Sequence, residues 1–416
     1  VPYGHEEENF GGHIMNFSLD IFRYGNLPRT FASVLVCLSL LTACGGSTAP
    51  TTTSTLTPLP PLDTPRSFRL ALTPFANGVT DQAKNAAWTF VKQHSDLVAL
   101  HFDTTNGLPW DILETGNLPA DLPADFRKEF DEAAAQLNDG SPHTVYVAIN
   151  PLNSSRTGMQ PQYGGGAFPF GTTSSDQSFD NPRVQTALIN YAKWIVDTFN
   201  PAFLAIGIEA NIYDINEINN NITDGGGFQA FVRCYQAVYD AIKASHPTLP
   251  IFPTQQLEYM QGSLSTWNNE MALYGTKIDR IGLSMYPSSQ NLLPSQLTQA
   301  YVTDLLPFNT NNLPIVVTET GYGSEPFSGS FIAPGSPELQ RDYLKWLIAA
   351  ADALPDAVKP DFIVWFFPTD APLAATPAFP DAAYYLSMGL SDKNLNPRET
   401  QLVWDQQLTR PLQPLR

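Results

Sequence analysis

From residue 68 onward, short apolar runs rich in β-branched and aromatic residues alternate strictly with longer segments of helical period. Short buried runs of this kind read as strands, and strands separated by helices read as βα units on a parallel sheet. The strand candidates are 68–75 (FRLALTPF), 97–103 (LVALHFD), 144–150 (TVYVAIN), 203–213 (FLAIGIEANIY), 250–257 (PIFPTQQL), 280–287 (RIGLSMYP), 314–322 (PIVVTETGY) and 361–368 (DFIVWFFP). Helix candidates lie near 80–95, 123–138, 183–198, 227–245, 264–274, 295–305, 337–352 and 395–408, several opened by Asp, Ser, Thr or Pro, as helix starts prefer. Eight such units are the count that closes a (β/α)8 barrel. The competing architecture, an open doubly wound sheet, brings a Gly-rich first turn, whereas TPFANGV after the first run has no GxGxxG. The expected fold is therefore α/β, one (β/α)8 TIM barrel spanning residues 67–416, with no internal repeat.

The residues before it read as address and tether. From Met15, two arginines (Arg23, Arg29) precede the apolar run FASVLVCLSLL and then LTAC, which ends at Cys44. That is the pattern of a secretory signal, with an apolar run too short to span a bilayer comfortably. LTAC resembles the lipobox of bacterial lipoproteins, in which the Cys receives the lipid; an ordinary signal peptide with a coincidental Cys is the alternative. Residues 1–43 are read as an over-extended start plus signal, and 44–66, rich in Ser, Thr and Pro, as an extended spacer. The expectation is an extracytoplasmic protein, lipid-anchored to a bacterial envelope through Cys44 and touching the membrane only there. Cys37 leaves with the signal, so Cys234 remains alone and a disulfide framework is excluded.

A net charge of -18, from 22 basic against 40 acidic residues, argues against nucleic acid, which needs clustered Lys and Arg. The sequence carries no HExxH, CxxC, P-loop or GxSxG element, and its His residues are few and scattered. No metal and no cofactor are expected. In 323–338 the acidic residues Glu325 and Glu338 are too sparse to point to calcium. A monomer is expected.

Two carboxylates stand out. Alternation along the fourth strand sends Gly207, Glu209 and Asn211 one way and Ile206, Ile208 and Ala210 the other; along the seventh it sends Ile315, Val317 and Glu319 inward. A buried carboxylate is costly unless paired or used. Active sites of such barrels sit at the C-terminal ends of the strands, and two carboxylates converging there are what glycoside hydrolysis requires. A gap of about 5 to 5.5 Å gives retention, a wider one inversion. His101 and Asp103 on the second strand and Asn150 on the third are candidates to bind sugar hydroxyls, or a structural His–carboxylate set. Of Gln255 and Gln256 closing the fifth strand, one should read a hydroxyl, with Gln255 the candidate. Trp110, in the long loop 104–123, is a candidate stacking platform for a sugar face, or a loop anchor.

The strand ends AIGIEAN, IGLSMYP, PIVVTETGY and IVWFFP resemble those of the large clan of retaining (β/α)8 glycoside hydrolases. DRIGLSMYP and LPIVVTETGYG are most similar to the endo-β-1,4-galactanases of glycoside hydrolase family 53. The resemblance covers residues 68–408 in strand order and is specific only at those four ends. It implies Glu209 as acid/base, Glu319 as nucleophile, Tyr286 as the hydroxyl orienting the nucleophile, and Trp365 as the floor of the subsite for the reacting sugar. The clan has Asn immediately before the acid/base, where this chain has Ile208, with Asn211 two residues after it. Either Asn211 supplies that contact to the sugar 2-hydroxyl or the enzyme belongs to a divergent family with another substrate. The expected partner is a β-linked polysaccharide or oligosaccharide. The alternatives are the same chemistry on mannan or glucan, and a lipoprotein that binds a glycan without cleaving it.

Overall fold

The computed structural model describes residues 56–103, 106–115, 117–220, 224–262, 264–371 and 382–414. Cys44, the signal segment and the first part of the spacer lie outside them. In chain order the strands are β1 (Arg69–Leu72), β2 (Leu97–Phe102), β3 (Thr144–Ile149), β4 (Phe203–Ile206), β5 (Ile251–Phe252), β6 (Thr254–Gln256), β7 (Ile281–Met285), β8 (Ile315–Thr320), β9 (Phe327–Ser328), β10 (Ile332–Ala333) and β11 (Phe362–Trp365). The helices are α1 (Asp81–His94), α2 (Trp110–Thr115), α3 (Ala124–Leu137), α4 (Pro182–Phe199), α5 (Asn211–Asn220), α6 (Phe228–Lys243), α7 (Leu257–Gly262), α8 (Leu264–Tyr274), α9 (Ala300–Thr303), α10 (Pro337–Ala353), α11 (Ala382–Tyr385) and α12 (Glu399–Leu408).

The helices start where side chains satisfy their free N–H groups. Thr80 accepts from Ala83 ahead of α1, Asn181 from Arg183 ahead of α4, and Ser336 from Leu339 ahead of α10, with Pro in the first turn of the last two. Nine strands form one sheet in the order β5-β4-β3-β2-β1-β11-β8-β7-β6. The pairs β1–β11, β1–β2, β3–β4, β4–β5 and β6–β7 are parallel. The two ends of that order, β5 and β6, are separated in the chain only by Pro253, which has no N–H to give the ladder. They are two halves of one stave, and the sheet closes as an eight-stave (β/α)8 barrel.

The described chain divides into two compact units, one of residues 99–285 and 308–318, the other of the residues up to 98 with 286–307 and 319–416. Two of the four boundaries fall inside β2 and β8. In the first unit Phe102 packs on Phe130 of α3 at 4.2 Å and on Phe199 of α4 at 5.6 Å, and Trp194 meets Phe130 at 4.9 Å. Each such buried side chain contributes roughly 1.5–3 kcal/mol. In the second, buried Arg66 forks onto Asp96 at 2.6 and 2.8 Å while the same carboxylate accepts from Leu70 N–H, which ties β1 to the start of β2.

Several expected elements are shorter or end differently. The run 203–213 is strand only to Ile206, and Asn211, Ile212 and Tyr213 open α5. Gly207 turns the chain at φ +89°, and a Cβ there would meet the Phe231 ring at 2.5 Å. Leu257 begins α7 rather than ending a strand, and of 295–305 only Ala300–Thr303 is α-helical. The loop 323–338 holds the antiparallel pair β9–β10.

Between α5 and α8, half-buried Asp214 lies against buried Glu270. Burial first, then the Asp214 charge and their shared hydrogen bond, pushes Glu270 from its ordinary 4.5 up to about 10, and burial raises Asp214 in the same direction. A group with a raised folded pKa gives its full stability below the unfolded value and loses it as pH rises toward the folded one. Thermal melting of the protein should therefore fall between about pH 5 and about pH 9. The variant Glu270→Gln should flatten that fall; a slope equal to the parent's contradicts the assignment.

Candidate active site

β8 is a run of β-branched residues with one carboxylate, and every residue in it is buried. Thr320 hydrogen-bonds Tyr343 on α10, so it faces the helices and Glu319, one residue before, faces the other side of the sheet. Glu319 is 0% exposed, and Tyr286 Oη donates to its Oε2 at 3.2 Å. Tyr286 follows β7 directly and precedes Pro287, outside both helix and strand backbone (φ −136°, ψ 69°). Its ring is met edge-on by Tyr385 at 5.5 Å.

Trp365 lies elsewhere than the resemblance implied. It packs against Tyr343 of α10 and Trp404 of α12 at 6.1 and 6.5 Å, and its Nε1 donates to Met388 O at 2.8 Å. With Thr320 it belongs to the helix side, so it is a core residue and not a sugar floor. The next residue takes the opposite face. Phe366 meets Phe75 and Phe367 at 5.1 Å each, Phe367 meets Tyr385 at 6.1 Å, and Tyr385 leads back to Tyr286. Phe75, half-buried at one end of this run, offers an aromatic face that sequence reasoning passed over.

In the other unit, Glu209 is 3% exposed and stands on a turn, not on a strand. Gly207 and Glu209 both have positive φ, +89° and +51°. For a non-Gly residue that conformation costs on the order of 1–3 kcal/mol and persists only where its surroundings over-determine it. Here they do. Ile208 N–H donates to Asn150 Oδ1 at 3.1 Å, Ile208 O accepts from Arg156 Nε at 2.8 Å, and Glu209 N–H donates to Thr254 Oγ1 at 2.8 Å. Tyr259 on α7 lies near this carboxylate: burial, then the charges of Glu209 and Glu258, pushes its phenol above the ordinary range, so it stays a neutral hydroxyl.

The remaining candidates divide sharply. His101 is 8% exposed at the end of β2, on the face opposite Phe102 and so away from the helices. Asn150 and Asp103 are committed to the protein: Asn150 donates to Asp103 at 2.9 Å and accepts from Leu152 and Ile208, and Asp103 also pairs with Arg156 at 2.9 Å. Asn211 donates through Nδ2 to Gln256 O at 2.9 Å and accepts from Gln256 N–H at 2.8 Å, so its amide is held by the fifth-strand backbone. Gln255 points to Met271 of α8 and is on the helix side; Gln256, which donates to Glu258 at 2.6 Å, takes the face shared with Thr254. Trp110 is 0% exposed and donates to Gln160 O at 2.9 Å, so it anchors its loop and offers no stacking face. Sequence reasoning missed Thr254, Tyr259 and Arg156; the polar residues beside the fifth strand and in the third loop were their only signal. Among the described residues no group of three His, Cys, Asp or Glu could hold a metal ion.

No protein-family model and no curated protein matches the chain. Solved structures do match. An exo-β-1,4-mannosidase from Opitutaceae bacterium strain TAV5 aligns at TM-score 0.54 with 13% identity, over 82% of this chain and 59% of that one. Two β-glucuronidase structures from Bacteroides uniformis align at TM-scores of 0.52 and 0.50 with 12% identity, each over 82% of this chain and over 34% and 35% of theirs. The chain thus spans less than two thirds of the length of these proteins, and at such identities the likeness establishes the (β/α)8 fold.

Proposed function

We propose that the chain is a glycoside hydrolase that cleaves β-linked glycans by double displacement, with Glu319 as nucleophile and Glu209 as acid/base. The observation that carries this reading is Glu319 itself, a fully buried carboxylate at the carboxyl end of a parallel strand, accepting a hydrogen bond from Tyr286. Nothing about sheet packing calls for a charge there. A carboxylate held at one angle by a phenol is a group shaped to attack a sugar carbon. A second buried carboxylate, Glu209, follows β4 on a turn that costs strain to hold, and such strain collects at sites that use it. The structural neighbours named above, a mannosidase and glucuronidases, support the same reaction class.

In this mechanism Glu209 gives its proton to the glycosidic oxygen as Glu319 forms the glycosyl ester, then takes a proton from the water that hydrolyses it. Tyr286 holds the reacting carboxylate in register. Substrate candidates are β-1,4-galactan, to which the strand-end motifs point, and β-mannan. Incubation with β-1,4-galactan, mannan, xylan and mixed glucans should release reducing ends from at least one, with product length read by chromatography. Binding to these glycans without any release rejects the hydrolase reading.

A further inference from the structure

We propose that Arg156 is a positioning residue for Glu209, bracing the strained turn from which its carboxyl projects; this rests on the reading of Glu209 as the acid/base. The peptide linking Ile208 to Glu209 is held at both of its polar atoms, the carbonyl by Arg156 Nε at 2.8 Å and the N–H by Thr254 Oγ1 at 2.8 Å. Rotation of that one plane is the motion that returns Glu209 from φ +51° to the negative φ that non-Gly residues prefer. Such a rotation has to break both bonds, and without them the strained turn that holds the Cα and Cβ of Glu209 in place is free to relax. Arg156 therefore acts on the carboxyl through the backbone.

The guanidinium is itself built in. It is 0% exposed, its Nη1 donates to Asn153 O and Ser154 O at 3.1 Å each, and its Nη2 donates to Asp103 Oδ2 at 2.9 Å. Its own backbone, at φ +53°, is clamped by Asn216 Nδ2 on α5, which donates to Arg156 O at 3.0 Å. Asp103 balances the charge and also accepts from Asn150, the residue that holds Ile208 N–H. Asp103, Arg156 and Asn150 form one connected brace on the turn, and a lysine in place of Arg156 keeps the charge but lacks the planar fork that reaches all of these oxygens. A structural ion pair needs none of the contact to Ile208.

The test compares phenyl and 2,4-dinitrophenyl β-D-glycosides of mannose, glucose, galactose and xylose. The phenyl leaving group needs protonation and the dinitrophenyl group does not. In Arg156→Lys, and in the uncharged change Asn150→Ser, kcat/KM for the phenyl glycoside, which reports the first chemical step, should fall about 10²-fold, and that for the dinitrophenyl glycoside by less than a tenth as much. Glu209→Gln is the control and should show the same split. Equal losses on both leaving groups in the folded variants, or no loss, overturn the positioning role while a split in Glu209→Gln leaves the acid/base reading standing. Equal losses in Glu209→Gln, or no cleavage of any glycoside by the unmodified protein, overturn that reading itself.

Discussion

Replacing Glu319 with glutamine removes glycan cleavage by on the order of 10⁴-fold or more, as expected when a covalent nucleophile is lost. Glutamine keeps the size of the side chain and an oxygen for Tyr286 Oη to bond, so the core around β8, where Glu319 is 0% exposed, stays filled. What disappears is the charge that attacks the sugar. Smaller replacements sharpen the test. In Glu319→Ala the space left by the carboxylate admits azide, and a glycosyl azide should form from a dinitrophenyl glycoside. Near-parental activity of Glu319→Gln removes this residue from the chemistry.

Replacing Glu209 with glutamine costs about 10²–10⁴-fold on substrates whose leaving group needs a proton, the range in which general acid catalysis contributes. Glutamine has no acidic proton to give, while its backbone still takes the positive φ imposed by Asn150, Arg156 and Thr254. Folding should therefore be retained, checked by a melting temperature near the parent's. Because the second chemical step also uses this residue as a base, added azide should accelerate turnover of activated glycosides in Glu209→Ala. Full activity of Glu209→Gln on unactivated glycans assigns the proton transfer elsewhere.

The staves were legible because each is a short buried run between helices of clear period, and Thr80, Asn181 and Ser336 mark helix starts where capping chemistry demands them. Glu319 was legible because it sits where a strand ends and alternation fixes its face, while Tyr286 beside it was implied by the resemblance of the strand ends. Alternation failed after Ile206. The residues 207–213 continue an apolar pattern that strand and helix share, and only the positive φ at Gly207 and Glu209 separates them. The turn is set by Asn150, Arg156 and Thr254, side chains distant in the chain, and no local pattern carries that information. Trp365 and Gln255 show the companion limit. A one-residue choice of register at a strand end sends a side chain to the helices or to the opposite face, and Phe366 and Gln256 took the faces their neighbours had been expected to fill.

The most direct test of the account is covalent labelling with a 2,4-dinitrophenyl 2-deoxy-2-fluoro-β-glycoside of the sugar the protein cleaves, followed by peptide mass spectrometry. The fluorine slows both steps and the good leaving group speeds only the first, so the glycosyl ester accumulates. One fluoro-sugar is expected on the peptide containing residues 315–323, attached to Glu319. A label on any other residue, or turnover with inversion at the anomeric carbon and no adduct, contradicts it.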